Sequence, residues 1–341
     1  MSSEWPVVPL AEVVKLRRGH DLPTQTRITG TVPVIGSGGV CGNHRESVSE
    51  GPGVVLGRAA NLGRPHWAEG AYWPLNTTLY VTDFMNNEPR FVYHLFQALD
   101  VTGYNSGSVQ PMLNRNYISQ VPVHLPPVEE QRRIAGVLGA LDDLIATCEA
   151  LNGQLRELAL ARVQQAQSDG ASDLSLADVC VFENRKRVPL SASQRREVPG
   201  DYPYYGAAAQ MDSVGEYLFD QPRVLVGEDG TVTTTSGSPV VQYVWGRYWV
   251  NNHAHVLAGT SISTELLRVL VTNADVRDRV TGAVQPKLNM GNLKSLRLRV
   301  PSDPDVDQFV QILTAFEREL LEETRQLQRT RNELLPLLMS G

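Results

Sequence analysis

A histidine pair in the second half of the chain is the feature that most resembles a metal site. His253 and His255 are two residues apart, so on a β-strand both imidazoles would point to the same side. No third ligand lies nearby in the sequence, and we therefore expect no metal ion here. The sequence also lacks the motifs of phosphate-loop NTPases, dinucleotide-binding folds, serine hydrolases, zinc proteases and amino-methyltransferases. We expect no catalytic residue in this chain.

Paired carboxylates are the second pattern that could do chemistry. Glu228 and Asp229 follow a strand-like run, where two acids could serve as general acid and general base. The matching place in the first half of the chain holds Arg58 and Ala59. A duplicated catalytic centre would not usually exchange its acids for a base and an alanine, so the pattern argues against acid–base catalysis.

The chain consists of two similar halves. Four pairs of segments match in the same order: 32–36 with 202–206, 54–57 with 224–227, 72–76 with 248–252, and 107–114 with 282–289. The shift between partners stays between 170 and 176 residues, as small loop insertions would produce, and the last pair keeps six of eight residues. The sequence therefore predicts an internal duplication.

Each half ends in a strand-like run, at 118–125 and 296–300, followed by a long helical pattern. Apolar residues recur at spacings of three and four through 126–168 and again through 303–341, and the polar stretch 168–172 is typical of a linker. Helices of about 40 residues are about 60 Å long. One globular domain cannot cover that length, so we expect the two helices to pair as an antiparallel coiled coil. The alternative is that each helix packs on its own domain.

Outside these helices the sequence predicts two mixed domains, at residues 1–125 and 172–302. Short β-type runs bounded by glycine and proline occur in both, and helices are expected around 90–99 and 263–272. The predicted fold class is therefore α+β, with two homologous mixed α/β domains separated by two long helices.

Together these motifs resemble one known family. The first half contains Val-Ile-Gly-Ser-Gly-Gly-Val-Cys-Gly-Asn, Val-Val-Leu-Gly-Arg and Tyr-Trp-Pro-Leu-Asn, and the second contains Tyr-Pro-Tyr-Tyr-Gly-Ala, Val-Leu-Val-Gly-Glu-Asp-Gly and Trp-Val-Asn-Asn-His-Ala-His. Both copies add Val-Gln-Pro-x-Leu-Asn, and the first continues into Leu-Pro-Pro-Val-Glu-Glu-Gln-Arg-Arg-Ile-Ala at 125–135. The combination resembles the specificity subunit of type I restriction–modification enzymes over essentially the whole chain. The second helix departs from it, because it begins Pro-Ser-Asp-Pro-Asp-Val-Asp-Gln at 301–308.

This resemblance implies a DNA-binding subunit without catalysis of its own. Each globular part would be a target recognition domain that reads one half of a bipartite sequence in double-stranded DNA. The paired helices would act as a spacer and dock two methyltransferase subunits, which carry S-adenosylmethionine and methylate adenine. Two restriction subunits that use ATP and Mg²⁺ would join some such assemblies. This chain itself would hold no cofactor.

Partner contacts are expected at the start of the first helix, from Glu129, Gln131, Arg132 and Arg133. Two alternatives stay open: a nucleic-acid-modifying enzyme with unrecognised catalytic residues, and a protein scaffold that joins two partners. Methylation or cleavage by the chain alone would favour the enzyme, and the lack of DNA binding in any complex would favour the scaffold.

Side chains that read bases in the DNA grooves are usually Arg, Lys, Asn and Gln. In the first domain we expect DNA contacts from Ser37, Arg58, Asn61, Arg64, Tyr104, Asn105 and Ser108. In the second we expect them from Tyr205, Glu228, Asp229, Thr231, Thr233, Asn251, Asn252, His253 and Lys287. Either acid would accept a hydrogen bond from N4 of cytosine, so its exchange for arginine would reflect a different target sequence. Asparagines present in both copies, such as Asn114 and Asn289, could instead bind backbone at a turn.

The charge is unevenly distributed along the chain. Lys and Arg number 31 and Asp and Glu 37, giving a net charge of −6, which argues against a protein coated in basic surface. Residues 1–125 hold 9 acids and 9 bases and residues 169–302 hold 14 of each, so the deficit lies on the two helices. Three distant cysteines form no disulfide framework, and no signal peptide or membrane-spanning run is apparent. We therefore expect a cytoplasmic protein that does not bind membranes.

Overall fold

The computed structural model describes residues 5–106, 112–282 and 285–340. These residues divide into two compact units. Unit 1 consists of Met1–Cys148 and Glu323–Gly341, and unit 2 of Glu149–Glu322. Both long helices contribute residues to each unit.

Unit 1 is built from short strands and one well-formed helix ahead of the first long helix. In chain order the elements are β1 (Val7–Pro9), β2 (Lys15–Arg18), β3 (Val32–Gly36), β4 (Gly39–His44), β5 (Gly53–Gly57), β6 (Pro65–Ala68), β7 (Trp73–Pro74), β8 (Thr78–Asp83), α1 (Pro89–Ala98), β9 (Asn105–Ser106), β10 (Met112–Leu113), α2 (Arg115–Ile118), β11 (Pro122–His124) and α3 (Val128–Asp169). Strands β2-β8-β5-β6 form a four-stranded sheet and β4-β3-β7 a three-stranded one, while β1 pairs with β11 and β9 with β10.

Unit 2 repeats this arrangement. Its elements are β12 (Ala171–Ser175), α4 (Leu176–Val179), β13 (Cys180–Phe182), α5 (Ala192–Glu197), β14 (Tyr202–Tyr205), β15 (Gln210–Val214), β16 (Arg223–Gly227), β17 (Val241–Val244), β18 (Trp249–Val250), β19 (Ala254–Gly259), α6 (Thr264–Thr272), α7 (Met290–Lys294), β20 (Arg297–Pro301) and α8 (Asp305–Met339). The sheets are β13-β19-β16-β17, β15-β14-β18 and β12-β20. Each sheet has the strand order of its counterpart in unit 1, so the predicted duplication extends to the topology.

The register of the central strands gives the correspondence between the two copies. Leu56 lies opposite Leu79 in unit 1, and Val226 lies opposite His255 in unit 2. Leu79 therefore corresponds to His255. In both copies the strand that precedes the loop of interest, β5 or β16, is fully buried from its second residue onward, because sheet and helix cover its two faces.

The long helices run antiparallel. In unit 1, Arg331 of α8 donates to Asp142 of α3 at 3.1 Å. In unit 2, Arg156 of α3 donates to Glu317 of α8, and Arg162 to Asp303, both at 2.6 Å. Low residue numbers on one helix thus face high numbers on the other, as expected for antiparallel pairing.

Each long helix also packs on its own domain. This was the alternative to a coiled coil, and the two kinds of packing occur together. Apolar residues of α3 and α8 join the core of each unit, including Leu138 and Met339 in unit 1 and Val163 and Val310 in unit 2. Not every apolar position of the helical pattern is buried, however. Four residues seven apart on α3 are 43–51% exposed: Val137, Leu144, Leu151 and Leu158.

Two sequence-based assignments were wrong. The stretch 168–172 is not a linker, because α3 continues to Asp169 and Ala171 begins β12, which pairs antiparallel with β20. The run 118–125 is not one strand, because its first residue ends the short helix α2 and only Pro122–His124 forms β11. The predicted helices near 90–99 and 263–272 are confirmed as α1 and α6.

Candidate nucleic-acid interface

In unit 1 the loop after β5 forms a tight turn. The amide of Gly63 donates to the carbonyl of Gly57 at 2.8 Å, and the amide of Gly57 donates to the carbonyl of Arg64 at 3.0 Å. A Cβ on Gly57 would collide with the carbonyl of Asn61, so only glycine fits at this close approach. The side chains of Asn61 and Arg64 are consequently displayed on the exposed rim of the turn.

Ser37 lies beside this turn but faces inward. Its side chain is buried, its hydroxyl donates to the carbonyl of Thr77 at 2.5 Å, and its own carbonyl is 3.1 Å from Nε2 of His66. Burial and the nearby Arg64 lower the pKa of His66, although its bond to Ser37 opposes the shift. Ser37 is therefore held beside the turn that carries Asn61 and Arg64, and its hydroxyl is already bound to the backbone.

Arg58 points to a different place, a cleft of about 210 Å³ that also involves Arg18, Arg115, Leu79 and Leu113. Partial burial and repulsion by Arg18 lower the pKa of Arg58. Within the described ranges, none of the three arginines forms an ion pair with a carboxylate. Arg58 is predicted from the sequence and its two neighbours are not, although Arg115 directly follows the repeated Val-Gln-Pro-x-Leu-Asn segment.

The remaining predicted contacts of unit 1 lie on the segment before β10. Tyr104 is partly buried and packs against the unit 1 core. The backbone of Asn105 belongs to β9 and pairs with Leu113. Ser108, with the rest of 107–111, lies outside the described residues.

The corresponding place in unit 2 is filled by paired charges. Glu228, which corresponds to Arg58, accepts from Arg187 at 2.9 Å and lies 3.7 Å from the ammonium of Lys287. Arg187 is also bound to the carbonyls of Asn252 and Ala254, at 3.2 and 2.7 Å. Burial works against ionisation of Glu228, but the bond from Arg187 and the nearby cations lower its pKa overall. Its carboxylate is therefore ionised and paired with cations of its own unit.

His255 belongs to the same cluster and is completely buried. Asn184 accepts from the amide of Val256 at 3.0 Å, which turns its NH₂ group toward Nδ1 of His255, 2.9 Å away. Nδ1 is therefore the acceptor and Nε2 carries the proton, which it donates to the carbonyl of Leu288 at 2.7 Å. Burial is the main cause of the lowered pKa of His255. This neutral histidine ties β19 to the segment ahead of α7.

His253 and Asp229 form a second pair on the rim of the cluster. Nδ1 of His253 is 2.7 Å from Oδ1 of Asp229, and the histidine side chain is 48% exposed. Asn252 is exposed as well. The structure thus brings Asp229, Asn252, His253 and Lys287 together at one exposed edge of unit 2, as their assignment to one surface requires.

Other predicted residues of unit 2 differ in accessibility. Asn251 is buried, accepts from the amide of His253 at 2.8 Å and contacts the sulfur of Met211, so it holds the turn. Tyr205 is half-buried and stacks edge-on against Tyr248. Thr233 is half-buried, whereas Thr231 is exposed.

The asparagines shared by both copies act as helix caps. The side chain of Asn114 accepts from the amide of Asn116, and that of Asn289 accepts from Asn292, each at 2.9 Å. An N-cap satisfies a backbone donor that the first turn of a helix leaves free. This confirms the backbone-binding alternative for the pair.

At the start of α3, one of the four predicted partner residues is buried. Gln131 is 1% exposed, accepts from the amide of Glu88 at 2.9 Å, and donates to Asn87 and to the carbonyl of Pro126. Its assignment to a partner surface conflicts with this burial, because every polar atom of its side chain is already bound. The other three, Glu129, Arg132 and Arg133, are mainly exposed and form i,i+3 ion pairs along α3.

Two kinds of feature are absent from the part of the chain that the structure describes. There, His, Cys, Asp and Glu side chains form no group of three that could hold a metal ion. Likewise, the helices within 5–106, 112–282 and 285–340 include none that is long and apolar enough to cross a bilayer.

Comparison with known proteins identifies related sequences and one related fold. The family model described as "Type I restriction modification DNA specificity domain" matches residues 2–157 and 170–329. A putative type I restriction enzyme specificity subunit of Haemophilus influenzae is 31% identical over 142 residues, which are 41% of this chain and 36% of that protein. The type I restriction enzyme EcoprrI specificity subunit of Escherichia coli is 24% identical over 185 residues, or 52% of this chain and 43% of that protein. The matches span less than half the length of these two curated relatives.

Among solved structures, the S subunit of a type I restriction–modification system from M. genitalium superimposes with a TM-score of 0.66. The match covers 100% of this chain and 98% of that one, at 14% sequence identity. Identity this low makes the match one of fold.

Proposed function

Because the chain belongs to the family of type I restriction–modification DNA specificity domains, we propose that it reads a bipartite sequence in double-stranded DNA as the specificity subunit of such a system. The observation that carries this proposal is the duplication itself: two copies of one sheet topology lie in one chain. Each copy displays polar side chains at the loop after the same central strand. Two similar readers on one chain suit a target with two separate halves.

In this proposal residues 1–125 and 172–302 are the two recognition domains, and 126–168 and 303–341 are the spacer helices. Asn61 and Arg64 at the turn after β5, and Thr231, Asn252, His253 and Lys287 at the corresponding edge of unit 2, are accessible enough to reach DNA. Both recognition domains have balanced charge, so affinity depends on local basic groups and on positive surface from partner subunits.

Exposed apolar residues on the helices support docking of two methyltransferase subunits. In unit 1, Val137 and Leu144 are half exposed, one turn or more beyond the charged residues that begin α3. In unit 2, Leu151, Leu158, Ile312 and Phe316 are 43–54% exposed. Exposed apolar side chains that lie on one face of a helix, seven or four residues apart, form the kind of patch that a partner commonly covers.

The partners, not this chain, would supply the chemistry. We propose that the methyltransferase subunits bind S-adenosylmethionine, and that ATP and Mg²⁺ act in restriction subunits where these join the complex. We propose that the assembly acts on DNA in the cytoplasm.

The test compares the purified chain with its complex. The chain with its methyltransferase subunits should bind and methylate DNA at a two-part sequence, mapped by methylation sequencing, whereas the chain alone should modify nothing. Methylation or cleavage by the chain alone would instead make it an enzyme. A complex that assembles but binds no DNA would make it a scaffold.

A further inference from the structure

The position directly after the central strand carries side chains of opposite charge in the two copies. In unit 1 it holds Arg58, and in unit 2 it holds Glu228. The neighbouring contacts confirm that the places correspond, since Ala59 bridges to Met112 in one copy and Asp229 bridges to Lys287 in the other. The difference therefore concerns one position of a shared framework.

In unit 2 the acid at this position is paired with an arginine of the same unit. Arg187, which binds the carbonyl of Asn252, meets Glu228 at 2.9 Å. Both side chains are less than a fifth exposed, at 13% and 18%. The pair leaves no strong unsatisfied charge facing outward.

In unit 1 an arginine makes the same backbone contact, and within the described residues no carboxylate forms an ion pair with it. Arg18 binds the carbonyl of Asn76, which corresponds to Asn252, at 3.3 Å. Its neighbour across the cleft is Arg58 and not a glutamate, and Arg115 lies on the same cleft. Arg18 and Arg115 are exposed, and Arg58 is partly so.

Arg18 repels Arg58, and Arg115 adds a third positive charge to the lining of the same cleft, so an anion bound there would relieve the repulsion. Guanidinium is also the side-chain group whose donor geometry best matches a phosphate. The cleft, at about 210 Å³, has room for a phosphate oxyanion with its surrounding water.

We propose that Arg18, Arg58 and Arg115 bind a backbone phosphate of DNA in the first recognition domain, at a place that the second domain closes with its own Glu228–Arg187 ion pair. This inference rests on the proposed function. The first domain then contributes a salt-dependent phosphate contact that fixes its register on the duplex, whereas the Glu228–Arg187 pair of the second domain contributes none. The exchange of arginine for glutamate therefore changes how tightly each domain binds the DNA phosphates, and not which base it reads.

The test measures DNA binding by the complex of this chain with its methyltransferase subunits. Affinity for a duplex with the target and for one without it is followed from 50 to 200 mM salt, for wild type and for the double variant Arg58→Gln, Arg115→Gln. Loss of one phosphate contact should reduce the slope of log K against log salt by about 1, so that the variant loses about 3-fold less affinity over this range. Both duplexes should be affected equally, since a phosphate carries no sequence information.

Two matched variants control for charge and folding. Arg277→Gln removes one positive charge from an exposed arginine that is held by Asp275, and should leave the slope unchanged. Arg58→Lys keeps the positive charge and should keep the wild-type slope, because the salt dependence of binding reports the number of phosphate charges that are neutralised.

An unchanged slope in the double variant, with wild-type binding intact, would overturn the phosphate site alone. A defect confined to one base pair of the target would also overturn it, because that result identifies a base contact. A wild-type complex that bound no duplex at any salt concentration would refute the proposed function, and the site with it.

Discussion

Gln131 offers a direct contrast between a structural role and a partner contact. The sequence suggested a partner contact, whereas the structure buries this side chain and binds it to Asn87, Glu88 and Pro126. The substitution Gln131→Leu keeps the approximate volume and removes all three hydrogen bonds. It leaves one amide and two oxygen acceptors without their partner, each costing about 1–3 kcal/mol when buried. We expect a total near 4 kcal/mol after allowing for some access of water.

The loss should be local, because Glu88 is the N-cap of α1 and Gln131 holds that end of the helix against α3. Hydrogen exchange followed by mass spectrometry on the full chain measures this directly. A loss of about 4 kcal/mol speeds exchange of the peptides that cover α1 by about 10³-fold. The corresponding helix α6 is an internal reference, since the amide of its N-cap Ser263 binds Asp307 of α8 and is untouched by the change.

The exposed neighbour Arg132 provides the matched variant. Arg132→Gln should leave exchange in α1 at the wild-type rate, because a surface ion pair contributes about 0–1 kcal/mol. Unchanged protection in Gln131→Leu, together with weaker binding of the methyltransferase, would refute the structural role and restore the partner contact.

Two further outcomes follow from buried and exposed groups. The pKa of His255 is lowered by burial, so the folded chain binds that proton less tightly than the unfolded chain. Stability should therefore fall as the pH decreases below about 6.5. The fall should be smaller in His255→Gln, as measured by urea unfolding midpoints between pH 5 and 8. Equal pH dependence in both proteins would contradict the neutral tautomer. The double variant Val137→Ser, Leu144→Ser should change the free energy of unfolding by under about 0.5 kcal/mol. Its affinity for the methyltransferase, measured by calorimetry, should fall about 10-fold or more. Ala146→Ser, on another exposed face of α3, should change neither quantity. Wild-type affinity in the double variant would exclude this face as the docking surface.

Much of the fold could be predicted because the evidence for it is periodic or repeated. The matching segments at shifts of 170–176 residues predicted two similar domains, and the apolar spacing predicted both long helices to within about three residues at each end. The errors arose where the partner is distant in sequence. Ala171–Ser175 is polar and resembles a linker, yet it forms a strand because β20 lies 126 residues further on and supplies the hydrogen bonds.

The site was less predictable because a charge acquires its role from its surroundings. Arg58 and Glu228 were recognised as corresponding positions, and the exchange suggested a change in the base being read. What decides the matter is Arg187, which follows β13 by five residues and has no marked pattern in the sequence, but whose guanidinium lies against Glu228 in the fold. The acid is thereby bound within the unit, while Arg58 faces two more arginines. In the sequence, Arg58 and Glu228 look like two residues that read different bases. In the fold, Glu228 is closed off by an ion pair, whereas Arg58 lines an open cleft.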